Sequence, residues 1–135
     1  MKAEELRIGN WVNNEYGQPE QVECIHELGI NIDLEDQGAA FHSHRVIVPG
    51  TKWEDVSGIP ITPEWLERLG YRQTMTDYWE WRLPIDGRFV GVFKLQHGRL
   101  RQMDKGMAWK EVHRLQNWMA ETFHALTGSE LKEKT

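Results

Sequence analysis

The 135-residue sequence is poor in cysteine, with one, and in proline, with five, and it has no long apolar run. Cys24 alone cannot close an internal disulfide, so no covalent staple holds the fold, and cysteine usage demands no oxidising compartment. A buried, inert thiol is the expectation. No stretch approaches the roughly 18 apolar residues of a membrane span, and the opening "MKAEELRIGNW" has no apolar signal-peptide core. A cytoplasmic chain without membrane contact is therefore expected. Gly-x-Ser-x-Gly, the P-loop, the Rossmann glycine pattern and His-Glu-x-x-His are all missing. Cys24 and His26 stand two apart with no third group to orient them. The expectation is a protein that is not an enzyme and holds no cofactor.

Basic residues are also scarce in one half. Residues 1–60 carry 4 Lys+Arg against 11 Asp+Glu, whereas residues 61–135 carry 12 against 10. The net charge of -5 thus hides an acidic half and a slightly basic one. With 39% hydrophobic and 27% charged residues and no low-complexity tract, the composition is that of a folded chain. Tryptophan, at seven copies, is abundant enough to shape the core.

From Leu6 to Val48 short β-like pieces alternate with turn chemistry: "IGNWVN", "EQVECIHEL", "INIDL" and "AAFHSHRVIVPG". This spacing predicts a small antiparallel sheet or SH3-like barrel over 1–50. Val22 and Ile25 are an odd number apart, so a bulge near His26 would be needed to put both in the core. Residues 51–61 have turn composition and are expected as a connector. Over 62–135 the pattern predicts helix, three strands and helix. In "TPEWLERLGY", Thr62 is the N-cap, Pro63 the first helical residue and Gly70 the stop. In "TDYWEWRLP" Trp79, Trp81 and Leu83 alternate with Tyr78, Glu80 and Arg82. "RFVGVFKLQ" is expected to add Phe89, Phe93 and Leu95 to the first face. A closing helix follows, with Val112, Leu115, Trp118, Met119, Thr122, Phe123 and Leu126 on one stripe and Gly128 ending it. The fold class is α+β, the two parts sharing one compact unit.

"LRIGNWV" at 6–12, "IPITPEWL" at 59–66 and "HRLQN" with "ALTGSEL" at 113–131 occur in the same order in a family of small proteins carried by bacteriophages, prophages and other mobile elements of gut-type bacteria, which this chain resembles along its whole length. In that family about three residues separate the last two blocks. Here "WMAETFH" intervenes, close to one extra helical turn. No activity comes with the resemblance. It implies a phage or mobile-element setting in a bacterial host cell, where a small acidic protein acts by binding host or viral proteins, a host-defence inhibitor being one form.

One surface fits such binding, a second fits a nucleic-acid or nucleotide-binding module instead, and a metal-dependent enzyme is a third alternative. The carboxylates Glu23, Glu27, Asp33, Glu35 and Asp36, with Glu15 and Glu20 nearby, would meet a basic protein and mimic nucleic acid. Trp53 and Trp109, both near turns, would anchor the interface. Alternatively Tyr78, Arg82, Arg88, Lys94, Arg99 and Arg101 would make a basic face with an aromatic, suited to phosphate and to stacked bases. His42 and His44 in "FHSHR" share a side of an expected strand and are weak metal candidates, as is the Glu121–His124 pair. Ordinary surface residues are the plainer reading of both pairs.

Overall fold

The computed structural model describes residues 1–36, 45–48 and 50–128. Its antiparallel strands and closing helix make the chain α+β, divided into two units, Met1–Ile59 and Pro60–Thr135. No helix among the described residues is long and apolar enough to cross a membrane.

In the first unit the strands are very short. β1 (Trp11–Asn13) pairs with β2 (Pro19–Gln21). β3 (Ile25–His26) pairs with β4 (Gly29–Ile30), β5 (Asp33–Asp36) with β6 (Arg45–Val48), and β7 (Thr51–Lys52) returns to β4. Leu6, Val12, Val22, Ile30 and Val56 form the core, with Trp53 packed against it. The segment expected as a connector is therefore part of this unit up to Ile59, because Thr51 and Val56 are buried in it.

Val22 and Ile25 do not share a face, and no bulge is needed to reconcile them: Ile25 is 37% exposed. The chain turns after Val22, and Asn31 braces the turn. Its Oδ1 accepts from the N–H of Glu23 at 2.7 Å and of Cys24 at 3.1 Å, and its Nδ2 donates to the Gln21 carbonyl at 2.9 Å. Asn31 itself has φ 56, a left-handed conformation that asparagine tolerates.

Two glycines permit the β4–β7 contact. A Cβ on Gly29 would lie 2.0 Å from the Thr51 carbonyl oxygen, and one on Gly50 would lie 2.3 Å from that of Ile30. Both obstacles are backbone, which cannot move aside cheaply.

In the second unit Thr62 Oγ1 accepts the Trp65 N–H and starts α1 (Pro63–Arg68). Gly70, at φ 95, ends it: the Tyr71 N–H reaches the Leu66 carbonyl and the Gly70 N–H that of Glu67. These two bonds are the Schellman stop. The sheet that follows has five strands rather than the three expected. Its members are β8 (Arg72–Met75), β9 (Tyr78–Arg82), β10 (Phe89–Gln96), β11 (Arg99–Gln102) and β12 (Ala108–Trp109), in the order β12-β11-β10-β9-β8. The turn from β10 to β11 is the two residues His97 and Gly98, both at positive φ, as a tight hairpin requires.

Trp79, Trp81, Phe93 and Leu100 are buried on one face of this sheet. α2 (Val112–Thr127) buries Val112, His113, Leu115, Met119 and Phe123. Its Trp118 ring lies 5.7 Å from Trp81, 5.7 Å from Phe93 and 4.7 Å from Trp109. Fully burying each large apolar side chain contributes about 1.5–3 kcal/mol, so this aromatic layer dominates the unit's stability. Leu126, expected on the packing stripe, is instead 45% exposed. The stripe ends at Phe123, and Gly128 closes the helix in a left-handed conformation with its N–H on the His124 carbonyl.

Tyr71 packs its ring edge-on to Phe93 at 5.2 Å and stacked on Trp81 at 6.0 Å. Its hydroxyl has no hydrogen-bond partner among the described residues, and burial holds its pKa well above the usual 10.0.

Two outcomes follow for stability. Gly29→Ala should cost more than about 3 kcal/mol in denaturant melts, because the clash is with backbone. Tyr71→Phe should stabilise by about 1 kcal/mol at neutral pH, since it removes a buried, unsatisfied hydroxyl. Above pH 10 the unfolded chain releases the Tyr71 proton while the native chain keeps it, so wild-type stability falls there. Melts of Tyr71→Phe across that range should show a shallower decline.

Candidate functional site

The opposite face of the five-stranded sheet carries the polar members of every alternating strand. Cross-strand register sets them in rows: Tyr78, Lys94, Arg101 and Ala108 in one, Arg72, Glu80 and Val92 in the next, and Gln96 with Arg99 at the hairpin end. Among the paired strand residues, five cations (Arg72, Arg82, Lys94, Arg99 and Arg101) therefore share the face with one carboxylate, Glu80.

That carboxylate is already engaged. Arg82 Nε lies 3.5 Å from Glu80 Oε1, and Arg82 Nη1 donates to the Gly87 carbonyl at 3.1 Å. Lys94 has no carboxylate beside it in its row. Tyr78 stands on one side, with the Lys94 ammonium 5.5 Å from the ring centre, and Arg101 stands directly opposite on the other. Like charges directly opposite across an antiparallel pair destabilise it, by a few tenths to about 1 kcal/mol.

Phe89 is where the sequence pattern misleads. Alternation from Phe93 through Gly91 would send it into the core. The register shifts between Phe89 and Gly91, so that Phe89 stands opposite Arg82 while Gly91 stands opposite Trp81. The extra residue, Val90, flips Phe89 to the cationic face, where it is 48% exposed with the Arg82 guanidinium 5.5 Å from its ring centre. Bulges re-aim side chains in this way, and they concentrate near working sites. Arg88, expected on the face, is drawn off it. Its Nη2 pairs with Asp86 Oδ2 at 3.1 Å and its Nη1 reaches the Leu126 carbonyl at 3.5 Å. The Arg88 backbone N–H and then its charge hold Asp86 below the ordinary carboxylate range.

Both tryptophans expected as anchors serve the fold. Trp109 is 8% exposed on β12, ringed by Phe93 and Trp118. Trp53 is half-buried against the first core, its indole N–H shared by the carbonyls of His26 and Glu27 at 3.0 Å each. Of the carboxylates, Glu23 and Glu27 are exposed, whereas Glu20 accepts a hydrogen bond from the Thr51 hydroxyl. Asp33, Glu35 and Asp36 lie along β5.

Cys24 precedes β3 and its thiol donates to the Ile32 carbonyl, while His26 Nδ1 accepts the Leu28 N–H. The two thus have separate structural partners. His42 and His44 lie outside the described residues, among which no group of three His, Cys, Asp or Glu is placed to hold a metal ion. Glu121 and His124 are exposed on α2.

No known protein family, curated protein or solved structure matches the chain. The sheet face opposite α2 is the candidate site on its geometry alone.

The Lys94–Arg101 pairing has a measurable cost. Arg101→Glu replaces a repulsive cross-strand pair by an attractive one, and should raise stability by about 0.5 kcal/mol in urea titration.

Proposed function

We propose that the chain is a non-catalytic binding protein that receives single-stranded nucleic acid on the exposed face of its five-stranded sheet. The observation that carries this reading is the row Tyr78, Lys94, Arg101: an aromatic and two cations side by side, with no carboxylate between them. Lysine and arginine neutralise phosphates irrespective of sequence, and exposed rings such as Phe89 give bases a stacking surface. A face that repels itself when empty is relieved when a polyanion lies along it.

A host or viral protein as partner, met through the acidic first unit, is less well supported. Interfaces need a buried apolar centre, and the two tryptophans that would have supplied it are occupied within the fold. Glu23 and Glu27 are exposed near Ile25 and Leu28, smaller apolar groups than the tryptophans expected to anchor the interface. The setting we propose, suggested by the sequence resemblance, is a phage or mobile element in the cytoplasm of a bacterial host. The finer description of the first unit as an SH3-like barrel rests on its short antiparallel strands around one small core.

Fluorescence anisotropy with labelled single-stranded DNA checks this directly. If Lys94, Arg99 and Arg101 each neutralise one phosphate, log Kd should rise linearly with log salt with a slope of about 2. The double variant Lys94→Glu with Arg101→Glu should bind at least about tenfold more weakly at low salt. Absence of salt-dependent binding by the native chain would overturn the proposal.

A further inference from the structure

An open groove of about 320 Å³ lies beside the cationic rows, lined by Phe89, Gly91, Val92, Met103 and Asp104. It begins where the bulge leaves Phe89 exposed and ends where β11 gives way to the loop after Gln102. The Met103 N–H donates to the Val92 carbonyl, which fixes that loop against β10 and holds Met103 over the groove floor. Met103 is exposed as well, so a ring and a thioether both reach solvent at the groove.

The chemistry of this groove differs from that of the rows beside it. Its floor and walls are apolar, and Asp104 is the one ionised group in its lining. A phosphate would be repelled there. What enters must be flat and apolar on its faces, to lie against Phe89, and must offer donors at its edge, because an ionised carboxylate only accepts. A nucleobase has that form. Among the bases, guanine presents its ring N–H and its exocyclic amine side by side, two donors for two carboxylate oxygens. Adenine and cytosine offer one amine, and thymine and uracil one ring N–H.

We propose that this groove is a base-reading pocket: Phe89 stacks one base of a single strand and Asp104 accepts the paired donors of guanine. The inference rests on the nucleic-acid reading of the cationic face and deepens it. Lys94, Arg99 and Arg101 hold the backbone without regard to sequence, and Asp104 adds a preference at one position. The bulge at Val90 has a role in this division, since without it Phe89 would face the core and the groove would lose its wall.

The test compares two probes, a short oligothymidylate and the same strand with one central guanine, each titrated into the full chain at several salt concentrations. The guanine strand should bind about tenfold more tightly, the discrimination of one good bidentate contact. Asp104→Asn should abolish that preference, bringing the two strands to the same, still salt-dependent affinity. Phe89→Ala should weaken both strands, with circular dichroism confirming an intact fold. Equal, salt-dependent affinity for both strands would overturn the pocket and leave the cationic face standing. No salt-dependent binding of either strand would overturn both, and so would a groove filled by an acidic peptide while oligonucleotides fail to bind.

Discussion

The second unit depends on a single seating, that of Trp118 among Trp81, Phe93 and Trp109. A sheet has two faces, and a helix can cover one of them. Because β9 and β10 send Trp79, Trp81 and Phe93 to one side, α2 packs there and its Trp118 seats on the same layer. The polar members of each strand are then left together on the other side as a direct consequence of period-two alternation. The cationic face and the aromatic core are two results of one pattern.

Against that background the departures from the pattern carry the information. An alternating strand would bury Phe89, and the bulge exposes it. A stability-driven face would set carboxylates between its cations, yet Lys94 stands opposite Arg101. Neither arrangement helps the folded chain by itself, and both would become favourable if, as we propose, an anionic, base-bearing strand is bound. This is the sense in which local cost points to function: the rest of the unit follows the ordinary rules of capping, alternation and burial, and these positions do not.

Much of the fold was legible in the sequence because it follows those rules. Thr62, Pro63 and Gly70 spell out α1 and its stop, and the apolar stripe of 112–123 with Gly128 gives α2. β9 and β11 show in their alternation and in the His97–Gly98 turn. What escaped reading depends on partners distant in sequence. β8, whose residues are all exposed, has no apolar pattern and exists because β9 offers it an edge. β12 is two residues long, and only its pairing with β11 reveals that Trp109 is core. Trp53 likewise looks exposed until its indole is seen bonded to the β3–β4 turn. Of the expected basic face, Tyr78, Arg82, Lys94, Arg99 and Arg101 come together as alternation implies. Arg88 does not, because a one-residue bulge resets the register and is invisible in the sequence.

The three segments on which the sequence resemblance rests are mostly structural. In "LRIGNWV", Leu6 and Val12 are core and Asn10 is buried, accepting the Arg7 N–H. In "IPITPEWL" Ile59, Ile61, Trp65 and Leu66 are buried, and in "HRLQN" His113 and Leu115 lie inside. Function is therefore to be sought in the stretch between them, on β9 to β11. The most direct measurement is a map of backbone amide chemical shifts as single-stranded DNA is titrated into the labelled chain. Shifts concentrated at Tyr78, Phe89, Lys94, Arg101 and Asp104 are the expected result; shifts confined to the acidic first unit around Glu23 and Glu27, or no shifts, would contradict the account.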